Sequence, residues 1–129
     1  MKQKYMFTRA SIQALMQEIN QQGNFLHTLL TDDQGLPIAS SMTDLDQSEV
    51  QAALVSMVQK MACQISDSLQ MSPTAEFVLN DVEGKRLVIR PFTIQGTEFI
   101  LTVLISNHQI PYRRLIGSAI KTIKSTWVN

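Results

Sequence analysis

The sequence predicts an α/β chain of the α+β type, with a sheet covered by helices on both faces. Three stretches carry that prediction. Residues 46–71 contain neither Pro nor Gly and repeat apolar side chains at helical spacing, so they form one long helix. Residues 25–30 and 36–40 flank an acidic glycine turn, Asp32-Asp33-Gln34-Gly35, and read as a hairpin. Residues 98–105, EFILTVLI, are apolar at nearly every position. Such a strand needs cover on both faces, which places it centrally in a sheet with a layer on each side.

The elements follow in order. Residues 8–22 form the first helix. Thr8 can cap it, and Phe7 before the cap can pack on Ile12 as a hydrophobic staple. Ile12, Leu15, Met16 and Ile19 make its stripe, and Gly23 suits the left-handed position after the last turn. In the hairpin, Pro37 cannot donate to a ladder, so the second strand lies at a sheet edge. The long helix has Asp46 as its N-cap, with Glu49 able to complete a variant of the capping box, and Ser72-Pro73 stops it. A third strand spans 75–80, a turn 81–84 and a fourth strand 85–92. Another glycine turn at 93–97 leads to the apolar fifth strand. Ser106-Asn107 opens the last helix, with Pro111 in its first turn and Tyr112, Leu115, Ile116, Ala119, Ile120, Ile123 and Trp127 on its stripe. The order is α-β-β-α-β-β-β-α in one domain over 1–129, without repeats or linkers.

The long helix is too apolar for a single neighbour. At about 100° per residue, Val50, Leu54, Met57, Val58, Met61 and Ile65, with their flanking Ala, Val and Leu residues, fill roughly 200° of its circumference, where one core needs little over about 100°. One edge of the arc should cover the chain's own core, and a second copy of the chain is the simplest cover for the rest. The back of the helix, Ala52, Ser56, Gln59, Cys63 and Ser66, is small and weakly polar. It reads either as plain solvent-exposed surface or as a ledge on which another protein docks.

Composition narrows the function. The 129 residues are 44% hydrophobic and 17% charged, with formal net charge zero, which argues against a nucleic-acid binder driven by phosphate neutralisation. Charge is segregated: acidic residues dominate between Asp32 and Glu83, apart from Lys60, and basic ones from Lys85 onward. Cys63 stands alone, which fits a reducing compartment, and no apolar run is long enough to span or insert into a membrane. The expected location is cytoplasmic.

The element order, with LLTDDQGLPIASS at residues 29–41 and EGKRLVIRPF at 83–92, resembles the Roadblock/dynein light chain domain over essentially the whole chain. That resemblance implies a five-stranded antiparallel sheet between the long helix and the pair formed by the first and last helices. It also implies a homodimer in which the long helices pack and the third strands join edge to edge. Phe77 and Val78 would then stand in the interface beside Val50, Leu54, Met57, Val58, Met61 and Ile65. Prokaryotic members commonly regulate Ras-like small GTPases, and the family offers no catalytic motif to carry over.

The residues themselves supply little chemistry. Gly84-Lys85 lacks the rest of a phosphate-binding loop, and His27, His108 and Cys63 lack zinc-ligand spacing. Asp32 with Asp33, and Asp44 with Asp46, read as turn formers and caps rather than a catalytic carboxylate pair. Arg86, Arg90, Arg113 and Arg114 could each supply an arginine finger to a GTPase, but a solvated face is the simpler reading. The expectation is a non-enzymatic homodimeric regulator or scaffold of a Ras-like small GTPase, without cofactor or metal. Its docking ledge would be Ser56, Gln59 and Cys63, with Lys60 at the margin. The alternative is a small-molecule-sensing module of similar plan, disfavoured by a core that looks apolar and self-filling. An independent enzyme comes third.

Overall fold

The computed structural model describes residues 9–127. Three helices and a five-stranded antiparallel sheet follow in the order α1 (Arg9–Gly23), β1 (His27–Asp32), β2 (Pro37–Ser40), α2 (Leu45–Ser68), β3 (Phe77–Asn80), β4 (Arg86–Ile94), β5 (Thr97–Ile105) and α3 (Arg113–Thr126). The sheet order is β2-β1-β5-β4-β3, so the most apolar strand is central and Pro37 lies on an edge strand, as their sequences require. The expected Thr8 cap and Phe7 staple lie outside the described residues.

The two faces of the sheet are unequal. On one side, α1 and α3 bury the main core. Ile12, Met16 and Ile19 of α1 and Ile116, Ile120 and Ile123 of α3 pack on Leu30, Val88, Leu101, Val103 and Ile105. Phe99 stacks near Phe92 at 5.9 Å between centroids and meets Trp127 at 4.7 Å, which fixes the end of α3. On the other side α2 makes only a small cluster, Val55 on Ile89 and Ile100, flanked by Val58, Phe77 and Leu87.

Turn chemistry sets the register. Asp32 Oδ1 accepts the Gln34 and Leu36 amides, and Asp81 Oδ1 accepts those of Glu83 and Lys85, so each acid holds its glycine turn closed. The β4–β5 hairpin turns on two residues, Gln95 and Gly96, both at positive φ, as a tight hairpin demands. Both strands therefore run further into the turn than the sequence suggests.

Several expected termini move. The N-cap of α2 is Asp44, whose Oδ1 accepts the Gln47 amide at 3.2 Å, and Asp46 sits in the first turn instead. Two acids compete there, and the earlier one also holds Ser48 through its carbonyl, which accepts the Ser48 hydroxyl. Asn24, not Gly23, takes the left-handed position after α1. Gly23 is needed for a different reason: a Cβ there would lie 2.3 Å from the Phe25 ring. Residues 106–112 are not helical. Asn107 folds a turn by accepting the Gln109 amide, while the His108 amide donates to the Gly84 carbonyl, which ties this loop to the β3–β4 turn. Pro111 precedes α3 rather than standing in it.

Gly35 and Gly96 separate two costs. Both have positive φ, so either Gly→Ala change carries a left-handed penalty of about 1–2 kcal/mol. A Cβ at Gly35 would additionally sit 3.3 Å from Ser56 Cβ on α2, whereas Gly96 faces open space. Urea unfolding should find Gly35→Ala the more destabilising of the two; equal midpoints would show that α2 does not rest on this turn.

Candidate functional site: the two sides of the long helix

Helix α2 meets its own sheet with its small side. Ser48, Ala52, Val55, Ser56, Gln59, Ala62 and Ser66 are its buried residues. Spaced mainly by three and four, they form a straight stripe. Small side chains let the helix lie close to the sheet, and Gly35 continues the fit by offering no Cβ opposite Ser56.

This placement corrects the expected docking ledge. Ser56 and Gln59 are 6% and 4% exposed, so they pack inward and cannot meet a partner in this arrangement. Lys60 and Cys63 remain exposed beside them. Periodicity alone puts one edge of the apolar arc on the sheet and turns the small side outward. Close helix–sheet approach reverses that, because bulk at the contact would hold the layers apart.

The large apolar residues consequently point away from the sheet. Val50, Leu54, Met57, Met61 and Ile65 are each between 53% and 60% exposed. Leu69 and Met71 extend the patch past the helix end, and Leu79 adds to it on edge strand β3. Single exposed apolar side chains need no explanation, but a contiguous stripe of this kind marks an interaction surface. Val58 and Phe77 differ from these: they are half-buried on the chain's own Val55–Ile89–Ile100 cluster. Val78 is half-buried on β3, opposite Val88.

Beneath α2 the sheet is unusually polar. Thr31 and Thr102 are buried with hydroxyls that have no partner, and the Gln59 carbonyl oxygen is likewise unpaired. The Gln59 amide reaches only Cys63 Sγ, at 3.6 Å. His27 belongs to the same face through its register with Leu104 and Leu87, and its Nδ1 is also buried without a partner. Such a layer contributes less to stability than an oily one.

On the opposite face, Glu76 gathers a polar cluster at the β3 end. It accepts the Tyr112 hydroxyl at 3.0 Å and lies 3.6 Å from the Arg113 guanidinium. Arg86 and Arg113 both lie over the Tyr112 ring, at 5.9 and 5.1 Å. Burial, followed by the bond to Glu76, pushes the Tyr112 phenol above its usual range. Of the four arginines singled out in the sequence, these two are thus engaged with Tyr112. Arg90 keeps one buried guanidinium nitrogen unpaired, and Arg114 lines a cleft of about 800 Å³ between the end of α1 and the start of α3. Among the described residues no group of three or more His, Cys, Asp or Glu side chains could hold a metal ion. No described helix is long and apolar enough to cross a membrane.

The element order and the sheet order are those of a known domain, and its sequence pattern, the Roadblock/LC7 domain, matches residues 11–105. The chain belongs to the Roadblock/LC7 family. Among curated proteins, none matches by sequence. Solved structures show the same fold. A Roadblock/LC7 domain from Streptomyces avermitilis superposes with a TM-score of 0.74 at 17% identity, covering 88% of this chain and 94% of that one. MglB of Myxococcus xanthus gives 0.69 at 13% identity, covering 92% and 85%. The gliding protein MglB of Thermus thermophilus gives 0.66 at 16% identity, covering 95% and 88%. Membership explains the element order; the polar layer under α2 is read from this chain's own residues.

His27 makes that layer measurable. Burial lowers its pKa from the ordinary 6.5, so the unfolded chain binds the proton more readily than the folded one. The stability attached to neutral His27 is fully present above pH 6.5 and is lost as pH falls from there through the depressed folded pKa. Urea midpoints followed downward from neutral pH should show this loss in the wild type and a smaller one in His27→Leu. Identical pH profiles would place His27 in solvent.

Proposed function

We propose that this Roadblock/LC7 chain is a homodimeric, non-catalytic regulator or scaffold that binds a Ras-like small GTPase. The observation that carries the proposal is the outward apolar stripe of α2, Val50, Leu54, Met57, Met61 and Ile65, continued by Leu79 on the β3 edge. Pairing this stripe with a second copy covers apolar surface on both chains at once, and full burial of one such side chain is worth about 1.5–3 kcal/mol. The β3 edge lies beside the same patch and can join its copy by backbone hydrogen bonds. Val78 and Phe77 would then border the twofold contact, and Val58 would bridge the dimer and the chain's own cluster. Similarity in fold to MglB, which is also known in a tetrameric arrangement, supports self-association.

Two paired helices leave Lys60 and Cys63 along their free margin, and this revised ledge is where the GTPase would dock. Regulation requires that the dimer bind one nucleotide state of its partner more tightly than the other.

Leu54→Asp and Met61→Asp replace side chains that are exposed in the single chain, so the fold tolerates the charge while the dimer buries it. Sedimentation should report a folded monomer for each variant and a dimer for the wild type. An undisturbed dimer in both would remove the stripe from the interface.

Titration of the wild-type dimer with a GDP-loaded and a GTP-loaded Ras-like GTPase should give unequal affinities, and Lys60→Glu should weaken binding with the dimer intact. Equal affinities would leave a scaffold only. Unchanged binding by Lys60→Glu would move the docking surface elsewhere.

A further inference from the structure

We propose that the Gln13 side chain acts as a built-in substitute strand that seals the β2 edge against a second copy of this chain. Edge strand β2 turns the backbone N–H and C=O of Ser40 outward. Ser40 stands opposite Leu29 on β1, whereas the bonds to β1 are made by its neighbours, as when the Ser41 amide donates to the Thr28 carbonyl. An outward N–H and C=O pair is what an arriving strand would bond. Here both are taken by one side chain from α1. Gln13 Oε1 accepts the Ser40 amide at 3.0 Å, and Gln13 Nε2 donates to the Ser40 carbonyl. A primary amide offers one acceptor and two donors, so a single glutamine reproduces the paired contacts of a neighbouring strand residue.

The rest of the edge is closed by other means. The register slips between Leu30 and Thr31, which leaves Ile38 without an opposite residue, and Pro37 has no N–H to give. Ser40 is thus the one position of β2 with a complete outward pair in regular register. Its surroundings would otherwise favour association. Leu36 and Leu45 are strongly exposed, and with Ile38 and Met42 they line a groove of about 560 Å³ that runs past Gln13. The occupant this edge would accept is the β2 edge of a second copy. Two such edges are identical, and antiparallel pairing about a twofold axis matches each groove with itself. This inference concerns the edge opposite β3 and does not rest on the proposed α2 dimer.

The test uses Gln13→Met, which keeps length and helix propensity but removes both hydrogen bonds, and Gln13→Asn, whose amide is too short to reach. Each is made in the wild-type chain and in the Met61→Asp chain. Both Gln13 variants should sediment as concentration-dependent species larger than their parents. In the Met61→Asp background the increase should appear even if the α2 stripe has no role in the wild type, which separates this inference from the functional one. Amide hydrogen exchange on the wild type gives a readout independent of folding losses in the variants. The Ser40 amide should exchange at least tenfold more slowly than an unbonded amide, although no strand lies beside it. Unprotected exchange at Ser40 in the wild type, or unaltered sedimentation of both folded variants, would overturn the proposal.

Discussion

Everything on the α2 side of this protein depends on how closely that helix can approach the sheet. The contact is built from Ser48, Ala52, Ser56, Gln59, Ala62 and Ser66, with Val55 as its largest aliphatic side chain. Gly35 completes it by leaving room at Ser56. A helix that spends its small side inward must show its large side outward. The exposed Leu, Met, Val and Ile stripe is the geometric consequence of that choice rather than an accident of composition.

The two faces of the sheet accordingly divide the labour. The α1–α3 face holds the dense aliphatic and aromatic core that makes the chain fold. The α2 face carries few aliphatic contacts and several buried polar atoms without partners, Thr31, Thr102, Gln59 and His27 among them. Each unpaired polar atom costs free energy that apolar contact must offset. The oily core supplies that offset on one face, and in the proposed dimer a second α2 would add to it on the other. The edges divide in the same way: β2 is closed by Gln13, a register slip and Pro37, while β3 stands beside the apolar stripe.

Much of the fold was legible because its signals are local. The continuous apolar run of β5 required a central strand, Pro37 required an edge, and the Asp-Gly turns required hairpins; each depends on a few neighbouring residues. The helix termini were less legible where two signals competed, as with Asp44 and Asp46, or where a contact distant in sequence decided, as with His108 on Gly84. The site was the least legible part. Periodicity counts apolar residues around a helix, but it does not say which side touches the sheet. The polarity of Ser56 and Gln59 suggests an outward face, yet the sheet accepts them because they permit close approach. The signal that could have found this is the run of small residues at 48, 52, 56, 62 and 66, set against a glycine turn. Gln13 left no trace in sequence, since its partner lies 27 residues away.

In the proposed dimer, a second copy of the chain covers the α2 stripe. An isotope-filtered NOE experiment on a mixed sample, one half methyl-labelled and the other unlabelled, reads that contact directly. Intermolecular NOEs are expected from the Met57 and Met61 methyls to α2 of the other copy. Methyls that give only intramolecular NOEs, in a sample sedimenting as a monomer at the same concentration, would show that the stripe is not a seam between two copies.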